Sequence, residues 1–238
     1  MISIIIPTLN EEKYLPLLLS SIKDQDFSDH ETIIADAGSR DKTVEIAKRY
    51  GCRVIPGGLP ARGRNEGAKV AKGDLLFFID ADSIISPEFL SKALEEFIAR
   101  SLDFAAFGLL PIEGTKISKS TFNMLYNWFT YALEKVLPHS AMGILVKKDL
   151  FIKLNGYDET IKLAEDHDLG RRASKIAKYG IIRAVKVYFS DRRFKKDGWL
   201  KTAIRYFLCE LHMIFIGPVR SDMFNYKFDH YDKEEPKK

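Results

Sequence analysis

Apolar and polar positions along this chain fall into blocks whose period switches between two and about three and a half. Ile2 to Ile6 is a β-branched run closed by Pro7, the pattern of a short strand. From Tyr14 to Ile22 the apolar residues Leu15, Leu18, Leu19 and Ile22 recur at the spacing of one helix face. The text ETIIADAGSRD predicts a second strand that opens into a loop with Asp36, Gly38, Ser39 and Asp41, where Asp41 caps a helix over Lys42 to Tyr50. CRVIP predicts a third strand, GGLPARGR a loop, and Asn65 to Ala71 a helix ended by Gly73-Asp74. Leu75 to Ile79 is apolar at every position, as a strand covered on both faces requires.

Further along, Pro87 to Arg100 reads as a helix with Ser86 as its cap. A strand over Phe104 to Leu110, an aromatic-rich helix over Thr121 to Leu137 and a short strand over Ile144 to Lys147 follow. Lys148 to Leu154 is a helix stopped by Asn155-Gly156, and AEDHDLGRRASKIAKYG is an acid-headed helix ending at Gly180. The last strand is Ile182 to Phe189, and SDRRFKKDGW after it reads as a basic loop. Such alternation predicts an α/β protein with a mostly parallel, doubly wound sheet. Ligands of such sheets sit beyond the carboxyl ends of the strands. The loops after Ile6, Ile34 and Ile79 share that edge, so Thr8, Asn10 and Glu11, then Asp36, then Asp80 and Asp82, are expected to line one cleft.

Composition narrows the partners. The 238 residues are 46% hydrophobic and 29% charged, enough for one large domain with a real core. A formal net charge of +4 gathers in Arg62/Arg64, Arg171/Arg172 and Arg192 to Lys196. That excess suits an anionic small molecule or an acidic membrane face and is too small to argue for nucleic acid. The two cysteines, Cys52 and Cys209, have no metal-ligand spacing and read as reduced thiols of a cytoplasmic protein. MISIIIPTLN reads as a first strand and not as a signal peptide. The nearest approach to a membrane span, Ala203 to Val219, is interrupted by Arg205, Glu210 and His212.

Two acidic groups stand out. Asp80 and Asp82 flank Ala81 at the end of the all-apolar strand, where oxygen ligands suit Mg²⁺ or Mn²⁺ and where the plain alternative is a capped turn. Glu165-Asp166 heads a helix, a placement that the helix dipole alone favours. Gly57, Gly58 and Gly63 fit either a close approach to a ligand or ordinary turns, and His139 fits either a structural or an acceptor-loop role.

Together with IIPTLNEEKYL, ADAGSRDKT, ARGRNEGAKVAKGDLLFFIDAD and LAEDHDLGRR, taken in that order, the chain resembles family 2 glycosyltransferases of the GT-A fold from Ile2 to Trp199. The resemblance implies a metal-dependent, inverting hexosyltransferase using a nucleotide-sugar, GDP-mannose or a UDP-sugar, with Mn²⁺ or Mg²⁺. It implies that Asp82 is the direct metal ligand, with Asp80 nearer the ribose or sugar. Pro7, Thr8, Asn10, Glu11, Asp36, Arg64, Asn65, Ala81 and Glu165 match nucleotide-sugar-binding positions. Asp166 matches the general base, with Asp168 as its rival. Arg192 and Arg193 are the candidate diphosphate partners, although RRFKKDGW departs from the family's arginine-tryptophan element. The acceptor is expected to be a saccharide or a lipid-linked one.

A transferase domain is thus expected over residues 1–199, an amphipathic helical segment over 200–228 and a disordered tail over 229–238. The helix over Thr121 to Leu137, with Phe122, Leu125, Trp128, Phe129 and Ala132 on one face, and the segment from Ala203 to Val219 fit an anionic membrane surface. That places the protein peripherally at the cytoplasmic face of a membrane; core packing or a homodimer interface is the alternative use of both helices. The competing functions are a nucleotidyltransferase acting on sugar phosphates, whose glycine-rich phosphate loop is missing at IIPTLNEE, and an inactive nucleotide-sugar-binding scaffold.

Overall fold

The computed structural model describes residues 1–224, so the tail expected over 229–238 and the last residues of the segment 200–228 lie outside the described residues. The predicted alternation is present: β1 (Ile2–Thr8), α1 (Leu15–Lys23), β2 (His30–Asp36), α2 (Thr43–Arg49), β3 (Arg53–Pro56), α3 (Pro60–Val70) and β4 (Leu75–Ile79). There follow β5 (Ser83–Ile84), α4 (Phe89–Ala99), β6 (Phe104–Pro111), α5 (Lys116–Phe122), a π-helical turn (Asn123–Asn127) and α6 (Trp128–Ala132). The chain continues through β7 (Gly143–Lys147), α7 (Lys148–Lys153), α8 (Glu165–Ser174), β8 (Tyr179–Phe189), α9 (Arg192–Asp197) and α10 (Trp199–Phe215).

One eight-stranded sheet runs in the order β3-β2-β1-β4-β7-β6-β8-β5. The pairs among β1, β2, β3 and β4 are parallel, as is β6 with β8, whereas β7 runs antiparallel to both β4 and β6. Successive side chains of a strand point to opposite faces. Ile4, Ile6 and Phe77 therefore join one cluster with Leu15, Ile46 and Phe89, while Ile5 and Phe78 join another with Ala68, Phe151 and Leu169. The sheet is thus covered by α1, α2 and α4 on one face and by α3, α7 and α8 on the other, which is why its central strands are apolar throughout.

Three local readings change. The predicted loop GGLPARGR is helical from Pro60, a residue suited to the first turn because it has no amide to leave unpaired. Its glycines serve close packing: a Cβ at Gly67 would sit 2.3 Å from Cγ2 of Ile5, and one at Gly63 would sit 3.2 Å from Cβ of Pro7. The expected basic loop contains the short helix α9. The aromatic helix starts at Lys116, passes through the π-helical turn and ends at Ala132.

Candidate active site

The carboxyl ends of β1, β2 and β4 meet at one place, as the topology predicts, and the start of α8 joins them through Arg64. The loops after β1 and β2 are stapled together. The Asn10 amide donates to Ser39 Oγ at 2.8 Å, and Asn10 Oδ1 accepts from the Arg40 amide at 2.8 Å. Asp41 accepts from the Glu12 and Thr43 amides. Asn10 itself adopts a left-handed φ of 54°, a region asparagine tolerates. Asp36 accepts from Thr8 Oγ1, from Ser39 Oγ and from the amides of Gly38 and Ser39. Its carboxylate is thus occupied in holding the turn that ends β2, opposite Thr8 in the register-matched strand β1, with Pro7 opposite Ala35.

Asp80 and Asp82 follow β4, with Ala81 buried between them. The Asp82 carbonyl accepts from the Ser190 amide at 3.0 Å, which ties this turn to the end of β8 and brings α9 over it. Two arginines organise the acids. Arg64, on α3 and only 3% exposed, donates to Asp80 Oδ1 at 2.6 Å and Glu165 Oε1 at 2.7 Å, and lies 3.6 Å from Asp166 Oδ1. Arg192 pairs with both oxygens of Glu11 at 3.0 and 2.7 Å, reaches Asp82 Oδ2 at 3.1 Å and lies over the Tyr14 ring at 4.6 Å. Burial raises the Asp82 carboxyl from its ordinary value, Arg192 opposes, Asp80 adds to the rise and Arg193 opposes it further.

Asp166 is set apart from its neighbours. Burial raises its pKa, Arg64 opposes, Glu165 and Asp80 raise it further, and the result is about 6. Oδ2 of Asp168, the rival, accepts from Arg172 Nε at 2.7 Å, and Arg172 also donates to the carbonyls of Leu154 and Gly156. The residue in front of the pair, Ala164, has φ 64°, a left-handed conformation costly for a residue with a Cβ. Strain there sets the angle at which Glu165 and Asp166 enter the cluster. Asn65 is turned elsewhere: its amide clamps Tyr157 through the backbone N–H at 2.9 Å and the carbonyl at 3.0 Å. Tyr157, unforeseen in the sequence because an aromatic after Asn155-Gly156 has no pattern of its own, stacks under the Arg64 guanidinium at 5.3 Å. Tyr14, read only as a helix residue, is likewise a platform for Arg192.

Two carboxylates at one strand end, each giving one oxygen to an arginine, are a hard-oxygen donor set that fits Mg²⁺ or Mn²⁺. A second cluster mixes imidazole and carboxylate groups. Among the described residues, His139, His167 and Glu210 each bring a ligand atom within 4.8 Å of the others. Yet Tyr126 holds His139 Nε2 at 2.6 Å, and Glu210 is shared between His167 Nδ1 and Arg171. Burial, then the charge of His167, keeps His139 well below the usual imidazole range.

The family model described as Glycosyl transferase family 2 matches residues 3–141. An uncharacterized glycosyltransferase of Haemophilus influenzae is 30% identical over 84% of this chain and 85% of its own length. The poly(ribitol-phosphate) beta-N-acetylglucosaminyltransferase TarS of Staphylococcus aureus is 26% identical over 79% of this chain but only 35% of its own length. The chain thus spans about a third of that relative, and 60% of a second Haemophilus influenzae glycosyltransferase. A solved structure of TarS 1–349 in complex with UDP-GlcNAc superposes with a TM-score of 0.65 at 23% identity, covering 89% of this chain and 66% of that one. The mannosyltransferase PcManGT of Pyrobaculum calidifontis, in complex with GDP-Man and Mn²⁺, superposes with a TM-score of 0.70 at 15% identity, covering 90% and 63%.

Proposed function

The chain belongs to glycosyl transferase family 2 and has the GT-A fold, and we propose that it transfers a sugar from a nucleotide-sugar to a saccharide or lipid-linked acceptor, with inversion at the anomeric carbon. The observation that carries this reading is the Arg64 clamp, which holds Asp80 after β4 and Glu165-Asp166 on α8 within reach of one guanidinium.

In this reading the nucleotide lies along Pro7, Thr8, Asn10, Glu11 and Asp36, with its diphosphate near Asp82. Asp82 and Asp80 would hold Mn²⁺ or Mg²⁺, which would supply positive charge to offset that gathering on the leaving nucleoside diphosphate. Arg192 and Arg193 supply fixed positive charge to the same leaving group. The acceptor oxygen forms its bond to the anomeric carbon as the bond to the diphosphate oxygen breaks with its electron pair. Asp166, held by Arg64, accepts the hydroxyl proton. The donor is a UDP-sugar or GDP-mannose; TarS and PcManGT, solved with UDP-GlcNAc and GDP-Man, represent both. The exposed apolar helices and the unpaired thiols of Cys52 and Cys209 support work at the cytoplasmic face of a membrane.

Thermal unfolding with UDP or GDP, each with and without Mn²⁺, tests the reading. Saturating nucleotide at a hundredfold excess over Kd stabilises by about 2.7 kcal/mol, a rise in Tm on the order of 5–10 °C. One nucleotide is expected to produce that rise only with the metal present. No metal-dependent rise with either nucleotide overturns the proposal.

A further inference from the structure

A helix that packs on a protein core normally turns its apolar stripe inward. The run from Lys116 to Ala132 does the reverse. Asn127 and Thr130 are buried, as is Glu134 just beyond the run, while Met124, Leu125, Trp128 and Phe129 face outward. Leu125 is 65% exposed and Trp128 68% exposed. Of the face drawn in the sequence, Phe122 alone turns in, against Phe189.

The sheet explains the inversion. β7 pairs with β6 only as far as Ala106, while β6 runs on to Pro111 beside β8. Leu109 is left with backbone groups on the abandoned side. The Asn127 side chain satisfies both, accepting from the Leu109 amide and donating to its carbonyl, each at 2.8 Å. Glu134 binds Arg100 and Arg183 in the same row. The sheet edge claims the polar residues, so the apolar ones are left outside.

α10 differs on its inner side, where Cys209 and Met213 join an apolar cluster with Leu163 and Val219, but it too leaves large apolar residues outside. Thr202, Cys209 and Met213 are buried, Glu210 is half-buried, and Ile204, Phe207, Leu208, Phe215 and Ile216 point away, with Phe207 63% and Phe215 80% exposed. Both segments are linked to α8 through side chains. Tyr126 of the π-helical turn reaches it through His139, whose ring lies 4.1 Å from that of His167, and Glu210 of α10 reaches it at 2.9 Å through His167.

We infer that these two outward apolar faces dock the protein on an anionic lipid surface, next to the helix that carries Asp166. Charge selects this occupant over a second copy of the chain. Leaving aside Arg192 and Arg193, which act at the cleft, Lys195, Lys196, Lys201 and Arg205 stand against Asp191 and Asp197 between residues 190 and 205, an excess of two. Lys195, Lys196 and Lys201 are exposed there, and Lys116 and Lys135 are exposed beside the first face. Lysine is depleted from protein interfaces, whereas lysines beside exposed Trp, Phe and Leu suit an anionic headgroup layer over acyl chains. Among the described residues no helix is long and apolar enough to cross a membrane, so the contact is one of lying on the surface. The inference rests on the proposed transfer only in its last step, that the acceptor approaches Asp166 from the lipid.

Flotation of the purified chain with phosphatidylcholine vesicles, with and without phosphatidylglycerol, tests it without any donor present. The chain is expected to float with the anionic vesicles at low salt and to be released at high salt. Trp128→Ser with Phe129→Ser, and separately Phe207→Ser with Phe215→Ser, should each weaken binding by roughly tenfold or more. Should a serine pair fail to fold by circular dichroism, Lys196→Glu with Lys201→Glu keeps the test alive and is expected to abolish the preference for anionic vesicles. Absence of flotation at low salt overturns the inference, as does a concentration-dependent dimer in lipid-free sedimentation that the serine pairs dissolve. If flotation fails while a nucleotide still raises Tm with metal, only the docking is lost. If flotation holds and the nucleotide effect fails, only the transfer reading is lost.

Discussion

Arg64 gathers more charge than any other side chain described around the cleft, and it explains why Asp166 differs from an ordinary surface aspartate. A buried guanidinium facing Asp80, Glu165 and Asp166 stabilises three acids that could not share a buried site without it. As the proposed base it must be ionised to accept a proton, and burial raises its pKa to about 6. Activity is therefore expected to be full above that value and to fall as pH drops through it, read as kcat/KM against pH. Asp166→Asn should lower turnover by roughly 10²–10⁴-fold and remove the acid limb, while the metal-dependent rise in Tm with nucleotide remains. An unchanged profile in this variant would assign the proton to another group. The acids were legible because carboxylates ending an apolar strand or heading a helix break the hydrophobic pattern. Tyr14 and Tyr157 were not, since an aromatic ring beneath an arginine looks in sequence like any other apolar residue.

At the scale of elements, α3 shows how a composition signal can be misread. Glycines in GGLPARGR suggest a loop, yet Gly63 and Gly67 are the positions where α3 presses onto β1. Local propensity disfavours glycine in a helix by roughly 1 kcal/mol, and close helix-sheet packing overrides it. The early start of α3 is what places Arg64 in the interior. Gly67→Ala inserts a methyl group against Ile5 and should destabilise the fold by about 1–3 kcal/mol, seen as a lower urea midpoint with an unchanged m value. A neutral result would show that β1 and α3 can separate without loss. The predicted bounds of β4 coincide with the observed ones because an unbroken apolar run has one use, whereas the aromatic helix was misjudged because periodicity finds a stripe without saying which way it faces.

Across the whole molecule, α10 is joined to α8 by the pairing of Glu210 with His167 and Arg171. Burial alone would raise the Glu210 carboxyl, but the His167 hydrogen bond and the charges of His167 and Arg171 hold it at about 2, against an ordinary 4.5. A carboxyl depressed in the folded state stabilises above its unfolded pKa, and that stability is lost as pH falls from about 4.5 to about 2. The shift corresponds to at most about 3 kcal/mol at neutral pH. Glu210→Gln should lower stability by up to that amount near pH 7 and converge with the parent near pH 2, in urea melts run across pH. Parallel curves at every pH would show that the pair contributes nothing to holding α10.

Taken by itself, the order of apolar runs determined the α/β layering, the strand edge where the loops meet, and the acids at that edge, because periodicity and turn chemistry are local properties. The family resemblance carried by those motifs agrees with the matched family and fold. Only the tertiary structure decided which charges face one another: Arg64 between two distant acidic pairs, Arg192 across Glu11 and Asp82, and Asp168 drawn off by Arg172. It also decided that two amphipathic helices turn their apolar faces outward. For the first of them the cause is an unpaired stretch of β6, invisible along the chain, which claims the Asn127 side chain before the core claims apolar ones.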